Sequence, residues 1–154
     1  MKVLEIEPKL CTRCYSCEVY CSLNSLNVVK PSKSQVQVAE SGKHTFIPII
    51  CRHCEEPRCK EACPANAIRF EKCESMRRVK IDEEKCDGCN ICVKACPIDA
   101  IQIDENGEPM KCDLCNGDPE CVKFCETGAI KITDAEQASS ITDREGILKC
   151  LGEE

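Results

Sequence analysis

Large side chains of the kind that fill a hydrophobic core are scarce in this sequence of 154 residues. It has no Trp, 2 Tyr and 3 Phe, so aromatic residues make up only 3%. A chain of this length forms one domain or two small ones, and its interior needs to be filled. A self-sufficient aromatic core is therefore excluded, and the fold must be stabilised by disulfides or by bound metal.

An excess of basic residues is also missing. The 21 Lys and Arg against 27 Asp and Glu give a formal net charge of −6, without the positive footprint of a nucleic-acid-binding protein. The longest apolar run, Phe46 to Ile50, is far shorter than the roughly 20 residues that cross a bilayer. We therefore expect neither a nucleic-acid partner nor a membrane anchor.

The first residues lack the continuous apolar stretch of a secretory signal, because Glu5, Glu7 and Pro8 interrupt it. We therefore expect a cytoplasmic protein. Because that compartment is reducing, it favours thiolates that hold metal over a framework of disulfides.

Cysteine, in contrast, is abundant, and its 18 residues, about 12% of the chain, exceed the roughly 8 to 10% that marks a cysteine-organised scaffold. Sixteen of them fall into four quartets with one plan. Quartet I is Cys11, Cys14, Cys17 and Cys21; quartet II is Cys51, Cys54, Cys59 and Cys63; quartet III is Cys86, Cys89, Cys92 and Cys96; quartet IV is Cys112, Cys115, Cys121 and Cys125. Quartets I and III have the spacing C-x2-C-x2-C-x3-C, and quartets II and IV lengthen only the middle spacer.

This spacing suits the ligation of a [4Fe-4S] cubane. Three cysteines at i, i+3 and i+6 on a turning loop direct their sulfurs into one concavity, whose backbone N–H groups suit an anionic cluster. Gly88 eases the close approach of that loop. The fourth cysteine lies beyond reach, and we expect a short helix after the three-residue spacer to carry it to a second cluster. Four quartets therefore predict four clusters in two interlocked pairs.

Three other uses of the cysteines are weaker. Structural zinc usually takes two C-x2-C pairs separated by a long spacer. Disulfides would have to persist in a reducing compartment, and a redox-active dithiol needs one C-x2-C motif rather than four quartets.

Three regions carry a resemblance to known proteins. Residues 78–101 resemble a bacterial two-cluster ferredoxin motif, and residues 51–64 and 111–125 resemble the four-cluster iron-sulfur subunits of molybdenum and tungsten oxidoreductases. That family includes the electron-transfer subunits of dimethyl sulfoxide reductase, formate dehydrogenase and tungsten aldehyde oxidoreductases. The resemblance covers roughly residues 8–133, and in size the chain is most similar to the small subunits of the tungsten aldehyde oxidoreductases.

The resemblance implies that quartets II and III form an inner pair and quartets I and IV an outer pair, with the fourth cysteines exchanged. The implied ligand sets are the Cys51 set (Cys51, Cys54, Cys59 and Cys96), the Cys86 set (Cys86, Cys89, Cys92 and Cys63), the Cys11 set (Cys11, Cys14, Cys17 and Cys125) and the Cys112 set (Cys112, Cys115, Cys121 and Cys21). Ser22 and Glu126 depart from the pattern, because quartets II and III have Pro64 and Pro97 there. We expect the chain to turn differently after the outer quartets.

Short strands are predicted between the quartets, because an Ala-Ile step that marks the passage from helix to strand follows three of them. The expected strands are 69–71, 79–81, 102–104 and 131–133, with a turn at Asn106-Gly107 and a hairpin of 36–38 and 45–50 around a turn at 41–43. These elements predict an α+β fold. It is a duplicated bacterial ferredoxin-like fold of two pseudo-symmetric dicluster modules with short helices and β-hairpins.

We expect one compact unit over residues 1–154. Its parts are an inner module (51–104), an outer module (1–26 with 105–133), a hairpin insertion (27–50) and a C-terminal tail (134–154) with a weak helical pattern. Outside the quartets, Cys73 and Cys150 are expected to be free thiols, and Arg77 and Arg78 to be solvated. His53 lies between two ligands, where it either tunes a cluster or packs.

Nothing in the sequence indicates catalysis by this chain alone, because its cysteines leave no open iron site and no G-x-G turn is present. We predict a non-catalytic subunit that relays single electrons through four [4Fe-4S] clusters. Its expected partner is a large molybdenum- or tungsten-pterin catalytic subunit of aldehyde oxidoreductase type in an anaerobic setting. A flavin or nicotinamide subunit, or a ferredoxin, is a further candidate partner. The alternatives are a free soluble polyferredoxin and a subunit of a hydrogenase, formate dehydrogenase or carbon monoxide dehydrogenase.

Overall fold

A computed structural model describes residues 1–41 and 45–138. Its strands are β1 (Lys2–Ile6), β2 (Val36–Ser41), β3 (Thr45–Ile50), β4 (Ile68–Cys73), β5 (Met76–Ile81), β6 (Gln102–Ile103), β7 (Pro109–Met110) and β8 (Ile130–Asp134), and its α-helices are α1 (Ser16–Leu26), α2 (Arg58–Glu61), α3 (Ile91–Ala95) and α4 (Glu120–Lys123). This is the α+β class that the sequence predicts. In the described ranges, no helix combines the length and the apolar character that a membrane crossing requires.

The main sheet has four strands in the order β4-β5-β1-β8. β4 and β5 form an antiparallel hairpin, and β1 pairs antiparallel with β8 from Lys2 opposite Asp134 to Ile6 opposite Ile130. A parallel contact at Lys2 and Met76 joins the two pairs. The sheet thereby places the strand before quartet I beside the strand before quartet III.

Two smaller hairpins flank this sheet. β2 and β3 pair over six residues, from Val36 opposite Ile50 to Ser41 opposite Thr45, which confirms the predicted strands. The predicted turn at 41–43 falls largely on residues 42–44, which lie outside the described residues. β6 and β7 pair around the predicted turn at Gly107, whose φ of +84° is a conformation that favours glycine.

The short helices differ from the prediction in where they begin. We expected each helix to follow the three-residue spacer, but each begins one residue before the third cysteine and occupies the spacer itself, as α3 does around Cys92. Three of these helices end within five residues, whereas α1 continues for five residues past Cys21. Ser22 allows this continuation because its N–H is available to the helix and its Oγ donates to the Val19 carbonyl at 3.0 Å, which a proline cannot imitate.

Small residues and cysteines form much of the interior. The three alanines of the Ala-Ile steps, Ala67, Ala100 and Ala129, are each 1% exposed. Cysteines of all four quartets pack within the two groups of buried apolar residues. Cys73 is buried at the end of β4, while Cys150 and the helical pattern of the tail beyond 138 lie outside the described residues.

Candidate metal centres

One cavity is lined by three cysteines of quartet II and by the fourth cysteine of quartet III. The four residues are Cys51, Cys54, Cys59 and Cys96, around a space of about 370 Å³ with apolar walls such as Ile98 and Ala100. Burial, and after it the nearby Cys51 and Cys96 thiolates, raises the pKa of Cys54. The structure thus brings together the members of the Cys51 set.

A second cavity, of about 300 Å³, is lined by Cys11, Cys14, Cys17 and Cys125. These are three cysteines of quartet I and the fourth cysteine of quartet IV. Val38 and Pro48 of the β2–β3 hairpin complete its wall. The hairpin insertion therefore shields the Cys11 set, a contact that the sequence does not reveal.

The members of the other two sets also lie together. Burial raises the pKa of Cys92, and the neighbouring Cys86, Cys63 and Cys89 raise it further. Cys21 is likewise a close anionic neighbour of the cysteines of quartet IV that belong to its set, which are Cys112, Cys115 and Cys121. All four implied sets are therefore assembled, although metal ligation by their cysteines stays a prediction.

The loops that carry these cysteines turn through left-handed residues. Within quartet III, Gly88 and Asn90 have positive φ, and within quartet IV Leu114 and Cys115 do. Such turns direct backbone N–H groups inward. The N–H of Leu114 donates to Cys112 Sγ at 3.4 Å. The loops therefore supply the donors that an anionic cluster accepts.

A similar turn follows the fourth cysteine of quartets II, III and IV. Asn66, Asp99 and Gly128, each three residues later, have φ between +50° and +72°, which these residue types tolerate best. The N–H groups of Ala67 and Ala100 then donate to Cys63 Sγ and Cys96 Sγ at 3.3 Å. The Ala-Ile step of the sequence thus belongs to the sulfur-binding turn as well as to the strand.

The donor sets fit a polynuclear cluster better than a single ion. In residues 1–41 and 45–138, no three His, Cys, Asp or Glu side chains converge closely enough for one metal ion, and the cysteines described there are free of disulfides. Burial raises the pKa of Cys59 to about 11 and that of Cys17 to about 12. Four ionised thiolates in such a cavity require a cationic core, as an iron-sulfur cluster provides.

Two buried basic residues lie beside Cys51, and one of them, His53, donates its backbone N–H to Cys51 Sγ at 3.4 Å. Lys111 Nζ donates to Cys51 Sγ at 2.6 Å, and the residue is only 9% exposed. His53 is 7% exposed, and its Nδ1 accepts the Val79 N–H at 2.9 Å. Although burial alone would raise the pKa of the Cys51 thiol, His53 and Lys111 lower it to about 5. Lys111 was missed in the sequence, where its only signal is its position directly before Cys112.

The prediction that Arg78 is solvated is wrong. Arg78 is 8% exposed and donates to the Asp113 carbonyl at 3.0 Å and to Asn116 Oδ1 at 2.7 Å, besides pairing with Glu71. It therefore anchors the loop of quartet IV to β5. A charge count cannot show this, because the partner loop is distant in sequence.

Comparison with known proteins identifies the family. Residues 42–135 match the model of the 4Fe-4S dicluster domain, and residues 8–24 match that of a 4Fe-4S binding domain. The first match covers more than half of the chain. The chain belongs to the 4Fe-4S dicluster domain family. Membership confirms the [4Fe-4S] clusters predicted from the quartets, without fixing their number.

Two curated relatives of the chain are named as oxidoreductase subunits. The chain is 39% identical over 115 residues to the polyferredoxin-like subunit of an aliphatic sulfonate oxidoreductase from Pyrococcus furiosus, covering 74% of this chain and 65% of that protein. It is 36% identical over 116 residues to a subunit of tetrathionate reductase from Archaeoglobus fulgidus, covering 74% of this chain and 55% of that protein. The chain thus spans between about half and two thirds of these relatives.

A solved structure has a similar fold. The active site complex BamBC of benzoyl coenzyme A reductase, as isolated, contains a chain that aligns with a TM-score of 0.52 and 25% identity. The alignment covers 98% of this chain and 89% of that one. The chain therefore shares its fold with a chain of that reductase complex.

Proposed function

We propose that this chain is an electron-transfer subunit of an oxidoreductase complex and carries single electrons through four [4Fe-4S] clusters. When bound, each cluster takes up and releases one electron. The proposal rests mainly on one observation, which is that the four cysteine sets lie in a row with an exposed cysteine at each end.

The order of the row follows from contacts between sets. Cys17 is an anionic neighbour of Cys121, so the Cys11 set adjoins the Cys112 set. Cys51 is also an anionic neighbour of Cys112, which supports the Cys51 set as the next in the row. The Cys86 set follows, because the short helices α2 and α3, which carry Cys59 and Cys92, pack against each other.

The most exposed cysteines belong to the two end sets. Among the described cysteines, Cys14 and Cys89 are exposed. Cys14 belongs to the Cys11 set and Cys89 to the Cys86 set, at opposite ends of the row. The two middle sets have no exposed cysteine. This arrangement suits an electron-transfer relay that accepts electrons from one partner and delivers them to another.

The sheet supports the proposed division into two pseudo-symmetric modules. β1 precedes quartet I and pairs with β8 after quartet IV, just as β5 precedes quartet III and pairs with β4 after quartet II. We therefore assign residues 51–104 to an inner module and residues 1–26 with 105–133 to an outer module. Residues 27–50 form the inserted hairpin, and the tail begins at 134.

We infer a non-catalytic role, because four cysteines per set leave no open iron position for a substrate. The partner we propose is a molybdenum- or tungsten-pterin catalytic subunit of aldehyde oxidoreductase type in the cytoplasm. The resemblance described above supports this partner, as do relatives named as subunits of oxidoreductases.

The experiment is to express the chain with its genomic neighbours under anoxic conditions, isolate it, and count iron, sulfide, tungsten and molybdenum in whatever co-elutes. About 16 irons per chain are expected for four cubanes, together with tungsten or molybdenum in a large subunit. The same iron content without a partner would favour a free polyferredoxin. About eight irons per chain would contradict the four-cluster relay.

A further inference from the structure

A buried cation lies in the middle of the row. Lys111 directly precedes Cys112, the first cysteine of the Cys112 set, yet its Nζ donates to Cys51 Sγ of the next set at 2.6 Å. The residue is 9% exposed and lines the cavity of the Cys51 set. Its ammonium group therefore lies at the junction of the two middle sets.

The charge of Lys111 is held in place by sulfur. A buried ammonium group is costly unless an anion compensates it. In the part of the chain that the structure describes, no carboxylate forms an ion pair with Lys111, whereas the Cys51 thiolate binds its Nζ. The lysine is therefore held by Cys51, which belongs to the same ligand set whose reduction potential its charge affects.

The end of the row that contains the Cys11 set has a buried side chain of opposite charge. Glu18 is 7% exposed and follows Cys17 directly, and its Oε1 accepts the Val38 N–H at 2.6 Å. Buried charged side chains thus lie beside three sets: Glu18 at the Cys11 set, Arg78 at the loop of quartet IV, and Lys111 at the Cys51 set. Of these three, Lys111 is the one that donates to a cysteine sulfur.

We propose that Lys111 gives the cluster bound by the Cys51 set the highest reduction potential of the four. This inference rests on the proposed function, since it concerns clusters in that relay. Reduction adds one electron and makes the cluster more negative, so a fixed cation and a hydrogen bond to a ligand sulfur stabilise the reduced form. Burial leaves this charge poorly screened. The cluster bound by the Cys51 set is therefore the first of the four to accept an electron.

The test is a redox titration of the full chain, purified anoxically with its co-eluting partner and followed by electron paramagnetic resonance. The signal of the Cys51-set cluster is identified with Cys51→Ser, which alters that signal alone. In the unsubstituted protein, this signal is expected to appear first as the potential is lowered. In Lys111→Met, which has a similar length and no charge, the electron affinity of that cluster is expected to fall at least tenfold, equivalent to 59 mV for one electron.

Two further variants separate charge from packing. Lys111→Arg keeps the charge and is expected to keep the order of reduction. Lys123→Met removes the same charge two residues from Cys121 and Cys125, but Lys123 is exposed, so screening is expected to make the shift small.

The proposal is overturned if another cluster is reduced first in the unsubstituted protein, or if Lys111→Met shifts all four potentials equally or none of them. If Lys111→Met loses iron, its potentials cannot be compared. The proposal is then judged by whether the Cys51-set cluster is reduced first in the unsubstituted protein. Failure of the proposed function is recognised earlier and separately, as an iron content well below about 16 per chain or clusters that do not reduce.

Discussion

At the scale of single residues, the partners of a cysteine matter more than its place in a quartet. Cys96 follows Cys92 by four residues, yet it lines the cavity of Cys51, Cys54 and Cys59. Cys92 and Cys96 therefore belong to different sites, the Cys86 set and the Cys51 set, although only part of helix α3 separates them. Damage to one cysteine is expected to appear in the site of the other quartet.

Paired alanine substitutions test this exchange by counting iron. If Cys96 and Cys54 bind one cluster, Cys96→Ala with Cys54→Ala removes that cluster alone and leaves about 12 irons per chain. Cys96→Ala with Cys89→Ala removes two clusters and leaves about eight. Cys73→Ala, at a buried cysteine outside all sets, is the control and keeps the full content. The reverse result for the two pairs would show that each quartet binds its own cluster.

Arg78 is expected to contribute to stability because it anchors the loop of quartet IV to β5. Arg78→Gln removes the charged bonds to the Asp113 carbonyl and to Asn116, and we expect a loss of about 2 kcal/mol in the free energy of unfolding. Anoxic thermal or denaturant unfolding of the cluster-loaded protein measures it. Arg69→Gln, in the neighbouring strand and with an exposed side chain, is expected to change little. Equal effects of the two variants would argue against an anchoring role for Arg78.

At the scale of elements, Ser22 permits the length of α1 without being sufficient for it, since α4 ends at Lys123 although Glu126 is not a proline either. Ser22 is fully buried, and besides its bond to Val19 its Oγ accepts the Lys30 N–H at 3.1 Å. The serine thus permits the longer helix and fixes the chain that leads into the β2–β3 hairpin. Quartets II and III have proline at this position, and there the helices stop.

Ser22→Pro therefore tests whether the outer quartet depends on the longer helix. The proline would remove a backbone donor and clash within α1, so we expect a loss of about 3 kcal/mol in the free energy of unfolding. Glu126→Pro is the matched change in quartet IV, where α4 already ends at Lys123 and Glu126 is exposed. It is expected to change stability by no more than about 0.5 kcal/mol. Denaturant titrations of both variants measure the contrast, and similar losses would refute the explanation.

The elements that the sequence predicts are those set by local chemistry. The Ala-Ile steps lead into β4 and β8, and alternation indicates the β2–β3 hairpin. β1 was missed because Lys2 and Glu5 interrupt its apolar residues and its partner β8 lies at the other end of the described chain. Lys111 and Arg78 were misjudged for the same reason, because their partners are distant in sequence.

At the scale of the whole molecule, ligand thiols take the place that large side chains have in other cores. Both groups of buried apolar residues contain cysteines of the sets, and aromatic residues make up only 3% of the sequence. Without a metal core, these thiols are a poor substitute for packed hydrocarbon, since each needs either a proton or a positive partner. Folding and cluster binding should therefore be one process.

Removal of iron tests this dependence. Anoxic treatment with a chelator and an oxidant is expected to abolish the cooperative thermal transition and most of the tertiary signal in near-ultraviolet circular dichroism, because the interior loses its filling. Adding iron and sulfide under reducing conditions should restore both. A cooperative transition that persists in the iron-free protein would show that the polypeptide has a sufficient core of its own.

The pairing of β1 with β8 also has a consequence for the order of assembly. Lys2 lies opposite Asp134, about 130 residues away, so the outer pair of sites cannot close until nearly the whole described chain has left the ribosome. The cysteines of the inner sites all lie between residues 51 and 104, and local segments fold sooner. Iron and sulfide delivered during synthesis should therefore enter the two inner sites first, and a nascent chain should hold them once residues 51–111, which include Lys111 in the wall of the Cys51 cavity, have emerged from the ribosome.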